Sequence, residues 1–342
     1  MSTGGGRHKI GVVLFQLGGP DSLDAVEPFL YNLFRDPDII DFPFARLARE
    51  PLARVVAATR AHKVRHAYAA MGGGSPINQL TQRQAQALER ELRKNLAVRV
   101  VVAMRYWHPL TEEAIETLQR EACADIVLLP LYPQYSKTTT GSSLNEWSRQ
   151  YARRADNDVR VHTIRDFHDF PPYIEALVER IQQTLATVEP AAKVVLVFSA
   201  HGIPASVVAA GDPYQRQVEA TTQQVMRRGG WNHPYRICYQ SKVGPGRWLA
   251  PSLETTVRAL ALEKAEGIVV VPISFVSDHI ETLHEIDGDA RALAQELGIR
   301  QFRLMPALND SPRFIQALAE LVRLTLRASP AGSANPLDSV AR

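Results

Sequence analysis

A histidine that could accept a proton or bind a metal ion follows a predicted strand in the second half of the chain. His201 lies in the segment AHGIP (200–204), directly after the apolar run Lys193–Ser199. In open parallel sheets, ligands bind beyond the carboxyl ends of the strands, and Gly202 and Pro204 turn the chain sharply at this point. A lone histidine is more often a hydrogen-bonded structural residue, so the position favours a functional role only if chemical partners lie opposite it.

Four acidic residues follow another predicted strand, Gly267–Ser274, at a spacing that suits one helical face. Asp278, Glu281, Glu285 and Asp289 are separated by steps of 3, 4 and 4. Like charges in such a row repel each other in water, which favours a surface that handles a cation. Two alternatives stay open, because Asp278 and Glu281 also fit a capping box at a helix N-terminus and because acidic outer faces are common.

Aromatic and cationic residues follow three further predicted strands. Gathered at one rim, they would suit a large, flat, apolar ligand that carries carboxylates, although each segment could also serve packing alone. A nucleotide site is poorly supported, because GGGS (72–75) follows no predicted strand and GGP (18–20) does not complete the GxGxxG pattern. The three segments are RYWHP (105–109), YPQYS (132–136) and QSKVGPGRW (240–248).

Short β-branched runs alternate with longer amphipathic stretches, which predicts an α/β fold with parallel sheets and helices on both faces. The predicted strands are Lys9–Gln16, Arg99–Met104, Asp125–Leu131, Val159–Ile164, Lys193–Ser199, Arg236–Gln240, Gly267–Ser274 and Gln301–Leu304. The predicted helices that follow them include Leu110–Cys123, Pro172–Ala186, Asp212–Arg228, Pro251–Glu266, Ile286–Leu297 and Ser311–Arg327.

An internal repeat predicts that one α/β unit is used twice. Two segment pairs match at an offset of 142 residues and a third at 184, so the first half holds 42 extra residues between about Asp21 and Val100. This apolar and glycine-rich insertion is either a set of extra core helices or a hydrophobic lip over a cleft or against a membrane surface. The matching pairs are PLTEEAIETL (109–118) with PSLETTVRAL (251–260), DIVLLP (125–130) with GIVVVP (267–272), and VVLFQLGGP (12–20) with VLVFSAHGIP (195–204).

Composition and charge are those of an ordinary folded protein. The 342 residues suggest about two domains, and 39 basic against 36 acidic residues leave a net charge of +3, so we expect no nucleic-acid partner. No apolar run reaches the roughly 18 residues of a membrane span and the start has no apolar signal core, so we expect a cytoplasmic protein. Cys123 and Cys238 lack CxxC spacing and support neither a disulfide framework nor a metal cage. Residues 1–6 and 328–342 predict disordered ends.

Eight segments, in order, resemble the ferrochelatase family, whose members insert Fe²⁺ into protoporphyrin IX to form protohaem with release of two protons. The resemblance runs from about residue 9 to 326 and implies a lyase with two similar Rossmann-like domains, each a four-stranded parallel sheet flanked by helices, and a porphyrin cleft between them. The implied domains are residues 8–165, with the lip at about 21–80, and residues 166–327, with the metal site, before the tail 328–342. The segments are LGGPDSL (17–23), GGGSPI (72–77), RYWHPLTEEAI (105–115), YPQYSKTTTGSS (132–143), SAHGIP (199–204), GDPY (211–214), YQSKVGP (239–245) and SDHIETLHEID (277–287).

The resemblance also implies roles for single residues. His201 and Glu281 are implied to be the catalytic and metal-binding pair, with two roles open for His201, which either abstracts the pyrrole protons or delivers the metal. Asp278, His279 and Glu285 are implied to form a polar, acidic path beside the macrocycle. Arg105 and Tyr106 are implied to lie deep in the cleft opposite the histidine. With these two, the implied porphyrin-binding residues are Leu17, Leu30, Leu33, Ile39, Arg60, Tyr68, Ser75, Tyr132, Tyr214 and Trp248.

Departures from the family pattern imply further properties. Lys137 stands where animal members have an internal cluster ligand and the tail contains no cysteine, so we expect no 2Fe–2S cluster and no other required cofactor, with Fe²⁺ as a substrate. The missing C-terminal extension implies a monomer, and the lip implies transient contact with the inner face of a membrane. The well-filled lip resembles the protoporphyrin-using branch of the family more than the branch that metallates coproporphyrin III. The alternatives are a coproporphyrin III ferrochelatase, another tetrapyrrole metal chelatase, and a non-catalytic tetrapyrrole carrier, against which the pair His201 and Glu281 argues.

Overall fold

The computed structural model describes residues 9–39, 45–154, 159–189, 193–242 and 246–328. Several predicted features lie outside these residues: the end 1–6, the tail from 329 onward, residues 40–44 of the lip and residues 243–245 of YQSKVGP. Ala328, the first residue of the predicted tail, is the last residue of a helix.

Eight strands form two parallel sheets of four strands each, which confirms the predicted fold class. The strand order is β2-β1-β3-β4 in the first sheet and β6-β5-β7-β8 in the second, so the two halves share one topology. The central strands are covered on both faces, and Val12, Val13 and Leu14 are fully buried. This is why they are continuous apolar runs without alternation. The strands are β1 Ile10–Gln16, β2 Val98–Met104, β3 Asp125–Pro130, β4 Arg160–Thr163, β5 Val194–His201, β6 Tyr235–Gln240, β7 Gly267–Pro272 and β8 Gln301–Leu304.

Helices connect the strands and cover both faces of each sheet. Eleven α-helices occur in the described residues, together with two π-helices, a form with wider turns that is frequent at functional sites. The α-helices are α1 Val26–Phe34, α2 Ala45–Ala70, α3 Ile77–Arg93, α4 Thr111–Arg120, α5 Ser142–Tyr151, α6 Pro171–Leu185, α7 Ala205–Ala209, α8 Tyr214–Gly229, α9 Leu253–Leu262, α10 Arg291–Glu296 and α11 Pro312–Ala328. The π-helices are π1 Lys137–Gly141 and π2 Glu281–Ala290.

The repeat seen in the sequence extends to the irregular elements. In each half the third strand is followed by a π-helix, π1 after β3 and π2 after β7, and the two overlap when the chain is shifted by the repeat offset. The halves differ mainly in the insertion, which supplies α1 and α2 between β1 and α3. We call α1 and α2 the lip helices.

One hydrophobic core joins the two halves. It includes Leu14 from β1, Phe198 from β5 and Tyr173 from α6, all at most 1% exposed. Helix α11 packs against α3 of the first half as well as against α6. This shared core holds the two sheets together and so fixes the positions of the residues that follow the carboxyl ends of their strands. Across the described ranges, every helix is too short or too polar to cross a lipid bilayer.

Candidate functional site

His201 is the last residue of β5, and the protein holds its backbone from both sides. Its N–H donates to the hydroxyl of Ser274 at 3.0 Å, and its carbonyl accepts a hydrogen bond from the Tyr214 hydroxyl at 3.0 Å. The imidazole packs edge-on against Phe275, and one third of the side chain remains exposed. The ring is therefore fixed at the sheet edge while a ligand in the cleft can still reach it.

Glu281 is the hydrogen-bonding partner of this imidazole. Its Oε2 lies 2.9 Å from Nδ1 of His201, and its Oε1 lies 3.7 Å from Nε2 of His279. Burial raises the pKa of the Glu281 carboxyl, but the charge and hydrogen bond of His201 outweigh this and hold it well below its usual range. For the imidazole, burial lowers the pKa, and the nearby Glu281 carboxylate raises it by more. Each group thus favours the charged form of the other.

Glu285 lies about one turn further along π2. Burial and the negative charge of Glu281 raise its pKa to about 7. The hydroxyl of Ser241 lies 2.6 Å from a carboxylate oxygen of each of these two glutamates. Ser241 is a functional candidate that the sequence analysis did not single out, although its segment was noted.

The predicted acidic row is divided by the structure. The Asp278 carboxylate accepts hydrogen bonds from the side chains of Asn309 and Thr282 and from the backbone of Ala307, at 2.7–3.2 Å, and so closes the loop before π2. Asp289 at the far end is 71% exposed. Of the four acidic residues, Glu281 and Glu285 lie near His201, while Asp278 is held in the loop before π2.

His279, the remaining residue of the implied polar path, is buried beside the pair. Its Nδ1 lies 3.1 Å from the carbonyl oxygen of Ser277 and its ring packs against Phe275. The structure thus brings His279 and Glu285 to the His201 and Glu281 pair and ties Asp278 into the loop.

The lip helices form an apolar wall near this polar group. Six of the implied porphyrin-binding residues belong to one hydrophobic cluster that also contacts Ile280, directly before π2. Burial and the negative charge of Glu281 both raise the pKa of the Tyr68 hydroxyl, which places α2 within electrostatic range of the site. The six residues are Leu17, Leu30, Leu33, Ile39, Tyr68 and Tyr106.

Arg105 and Tyr106 are held by a buried acid, Asp36, that the sequence analysis missed. The guanidinium of Arg105 lies 2.8 Å from Asp36, and the Tyr106 hydroxyl donates to the other carboxylate oxygen at 2.5 Å. The Ser142 hydroxyl donates to the same oxygen, and Arg105 donates to Ser142 at 2.7 Å. Because Asp36 follows α1, this network fastens the lip to the end of β2. The sequence does place a cation, Arg105, after a predicted strand, and a buried cation requires a neighbouring anion.

The other implied porphyrin-binding residues occupy separate places. Arg60 lies over the ring of Phe34 on the lip, and Ser75 is buried where its N–H donates to the carbonyl of Pro20. Trp248 lines a groove of about 380 Å³ and pairs with Pro204, three residues after the histidine. Burial raises the pKa of Tyr132 and of Tyr214, and Tyr214 lies directly beneath His201.

No ready-made metal cage accompanies the pair. Within the described part of the chain, no group of three or more His, Cys, Asp or Glu side chains is placed to hold a metal ion. The imidazole and carboxylates of His201, Glu281 and Glu285 are groups that can accept protons.

Comparisons with known proteins point to one family. The family model for ferrochelatase matches residues 9–326. A ferrochelatase from Aquifex aeolicus (strain VF5) is 47% identical over 318 residues, which cover 92% of this chain and 99% of the relative. A ferrochelatase from Geotalea daltonii is 47% identical over 316 residues, which cover 92% and 98%.

Among solved structures, SirB from Bacillus subtilis with Fe³⁺ aligns with a TM-score of 0.55 at 14% identity, covering 93% of this chain and 95% of that one. DR2241 from Deinococcus radiodurans, described as similar in structure to chelatases, aligns with a TM-score of 0.55 at 15% identity, covering 95% and 56%. At these identities the likeness shows a shared chelatase-like α/β fold.

Proposed function

The chain belongs to the ferrochelatase family, and we propose that it inserts Fe²⁺ into protoporphyrin IX at the pair formed by His201 and Glu281. Membership makes the protein an enzyme of the lyase class that acts in haem biosynthesis, with Fe²⁺ and a porphyrin as substrates and protohaem as product. The observation that supports the site is the 2.9 Å contact between the imidazole and the carboxylate, next to the apolar cluster of the lip.

The reaction needs a group that removes protons from pyrrole nitrogens. A carboxylate at Nδ1 favours the tautomer with its hydrogen on Nδ1, which leaves Nε2 of His201 as the acceptor. Glu281 then stabilises the imidazolium that forms, and this is the same effect that raises the pKa of His201. The pair therefore makes a stronger base than an imidazole alone, while its buried carboxylate stays ionised.

The same atoms can escort the metal. Fe²⁺ accepts imidazole nitrogen and carboxylate oxygen as ligands, and we propose that His201 and Glu281 hold the ion only until the porphyrin takes it up. Glu285, whose pKa is about 7, can gain or lose a proton near neutral pH. We propose that it carries charge and protons away from the pair, and that His279 supports the polar side of the site.

The porphyrin is proposed to bind between this polar group and the lip. The partly buried members of the apolar cluster, among them Leu17 and Leu33, offer a surface for a flat ring, and Ile280 directly before π2 belongs to the same group. Arg60 is the cation that we assign to the propionates, together with Tyr68 and Ser75. Trp248 and Tyr214 are assigned to the opposite side of the cleft.

We also propose properties that concern the whole molecule. Cys123 and Cys238 are buried in separate cores, one in each half, which supports an enzyme without a 2Fe–2S cluster. Exposed Leu23, Leu52 and Val55 on the lip support transient contact with a membrane surface. We also propose that the protein acts in the cytoplasm as a monomer.

An anaerobic assay tests the function. Purified protein is mixed with Fe²⁺ and either protoporphyrin IX or coproporphyrin III, and metalloporphyrin absorbance is followed. We expect faster turnover of protoporphyrin, and losses of more than about 100-fold in kcat for His201→Ala and Glu281→Gln while porphyrin binding is retained. Faster coproporphyrin turnover would refute the substrate assignment. Unchanged turnover in both variants would refute the site.

A further inference from the structure

Ser241 holds an unusual backbone conformation directly after β6. Its φ is 63°, in the left-handed region, which costs an L-residue free energy. Among the described non-glycine residues, three others share a positive φ: Ala122 and Lys264 follow the last turns of helices, where such a residue ends a helix regularly, and Asn309 is of a type that tolerates it. Ser241 neither ends a helix nor is of a type that tolerates this conformation. Strain of this kind tends to persist where it serves a function.

The left-handed turn lets two consecutive side chains reach the same residue. Gln240 donates from Nε2 to the backbone carbonyl of Glu281 at 3.2 Å, and the Ser241 hydroxyl donates to the Glu281 carboxylate at 2.6 Å. In an extended strand, successive side chains point to opposite faces, so a Ser241 that continued β6 would point away from Gln240. The strained conformation is what brings the hydroxyl to Glu281.

Two further hydrogen bonds hold Gln240 in position. Its Oε1 accepts a hydrogen bond from the Ser199 hydroxyl at 2.5 Å, and its carbonyl accepts from the N–H of Gly202 at 2.7 Å. A Cβ on Gly202 would lie 2.8 Å from that carbonyl oxygen, so only glycine allows the approach. The end of β6 is thereby locked to the residue that follows His201.

We propose that Ser241 is a positioning residue for metal insertion, whose hydroxyl sets the Glu281 carboxylate against His201. The inference rests on the proposed function of the His201 and Glu281 pair. A hydroxyl has one hydrogen, yet Ser241 lies 2.6 Å from a carboxylate oxygen of both glutamates. Its oxygen therefore bridges the two carboxyl groups and fixes the position of Glu281 relative to Glu285.

Three variants separate the hydroxyl from the backbone strain. Ser241→Ala removes the hydroxyl and keeps the strain, whereas Ser241→Gly removes both, so we expect the Tm of the glycine variant to exceed that of the alanine variant by about 1–3 °C. We expect both to lose about 10- to 100-fold in kcat, with porphyrin KM within about twofold. Ser241→Asn tolerates the left-handed backbone and offers amide donors, so it should recover part of the lost kcat.

Lys264→Gly is the matched control, because Lys264 has a φ of 58°, is exposed, and precedes the amino end of β7, whereas the site lies beyond the carboxyl end of that strand. It should raise Tm with no change in kcat. A wild-type kcat for Ser241→Ala, or a kcat that follows Tm so that glycine restores activity, would overturn the proposal. If the wild type is active and His201→Ala is not, such a result counts against Ser241 alone. If His201→Ala is fully active, the proposed site fails first.

Discussion

Nδ1 of His201 lies 2.9 Å from Oε2 of Glu281, although 80 residues separate the two in the chain. They meet because β5 and β7 are neighbours in a parallel sheet, with Ser199 opposite Pro272, so the residues after both strands leave the sheet at one edge. The contact couples the ionisation of the two groups electrostatically, and this coupling can be measured.

The first prediction concerns the pKa of His201. In Glu281→Gln the carboxylate that raises this pKa is gone, while the burial that lowers it remains. The pKa of His201 should therefore fall on substitution. An NMR titration of the imidazole Cε1–H resonance, assigned with His201→Ala, measures the change. An unchanged or higher pKa in the variant would show that the two groups are not coupled.

The second prediction concerns Glu285 and the pH dependence of stability. Its pKa is raised to about 7 in the folded protein from the ordinary glutamate value, so the folded state binds the proton more tightly and this contribution is lost as pH rises through 7. Glu285→Gln should thus be close to the wild type in stability at pH 4.5 and more stable at pH 8, by on the order of 2 kcal/mol. Urea unfolding at the two pH values measures the difference.

Glu296→Gln is the control for this experiment, since Glu296 is an exposed glutamate on α10. Its substitution should change stability equally at both pH values. If Glu285→Gln shows the same flat response, the Glu285 carboxyl is not a weak acid in the folded protein.

The third prediction concerns the fastening of the lip. The Asp36 side chain is fully buried and neutralises Arg105, which is 11% exposed. Asp36→Ala leaves the guanidinium with only the longer ion-pair contact to Glu146, at 4.0 Å, and should lower the free energy of unfolding by about 3–5 kcal/mol. Asp310→Ala breaks an exposed ion pair with Arg83 and should cost about 0–1 kcal/mol. Equal losses for the two variants would contradict the buried network.

The fourth prediction concerns the membrane surface. Val55 is 62% and Leu52 is 43% exposed on α2, so aspartate at both positions should leave folding intact and weaken binding to lipid vesicles by about tenfold or more. Leu262→Asp, at an 86% exposed leucine on α9, should leave vesicle binding unchanged. Sedimentation with anionic vesicles measures binding. An equal loss of vesicle binding in the α9 variant and the lip variant would show that the protein binds lipid non-specifically and not through the lip.

The strands could be predicted from the sequence with little error because parallel strands are buried on both faces. β8 matches the predicted bounds, and β5 runs two residues further than predicted, so that His201 is its last residue. The repeat predicted the equal sheets, since the same pattern of runs must fold in the same way. Local pattern was sufficient wherever burial alone decided the conformation.

The parts that could not be predicted depend on distant partners. The acidic row is divided because Asp278 meets Asn309, 31 residues away, and because π2 has wider turns than the helix assumed for the spacing. Asp36 meets Tyr106 across 70 residues, and no local pattern in its segment shows this. Ser241 depends on a backbone angle that a serine rarely adopts.

The π-helices show what each half builds at the same place in its fold. π2 begins with Glu281, whereas π1 leads into Ser142, which holds Asp36 and Arg105. A widened turn after the third strand of both halves is what one α/β unit used twice would produce. In the second half this turn carries the carboxylate of the proposed site, and in the first half it leads into the network that fastens the lip.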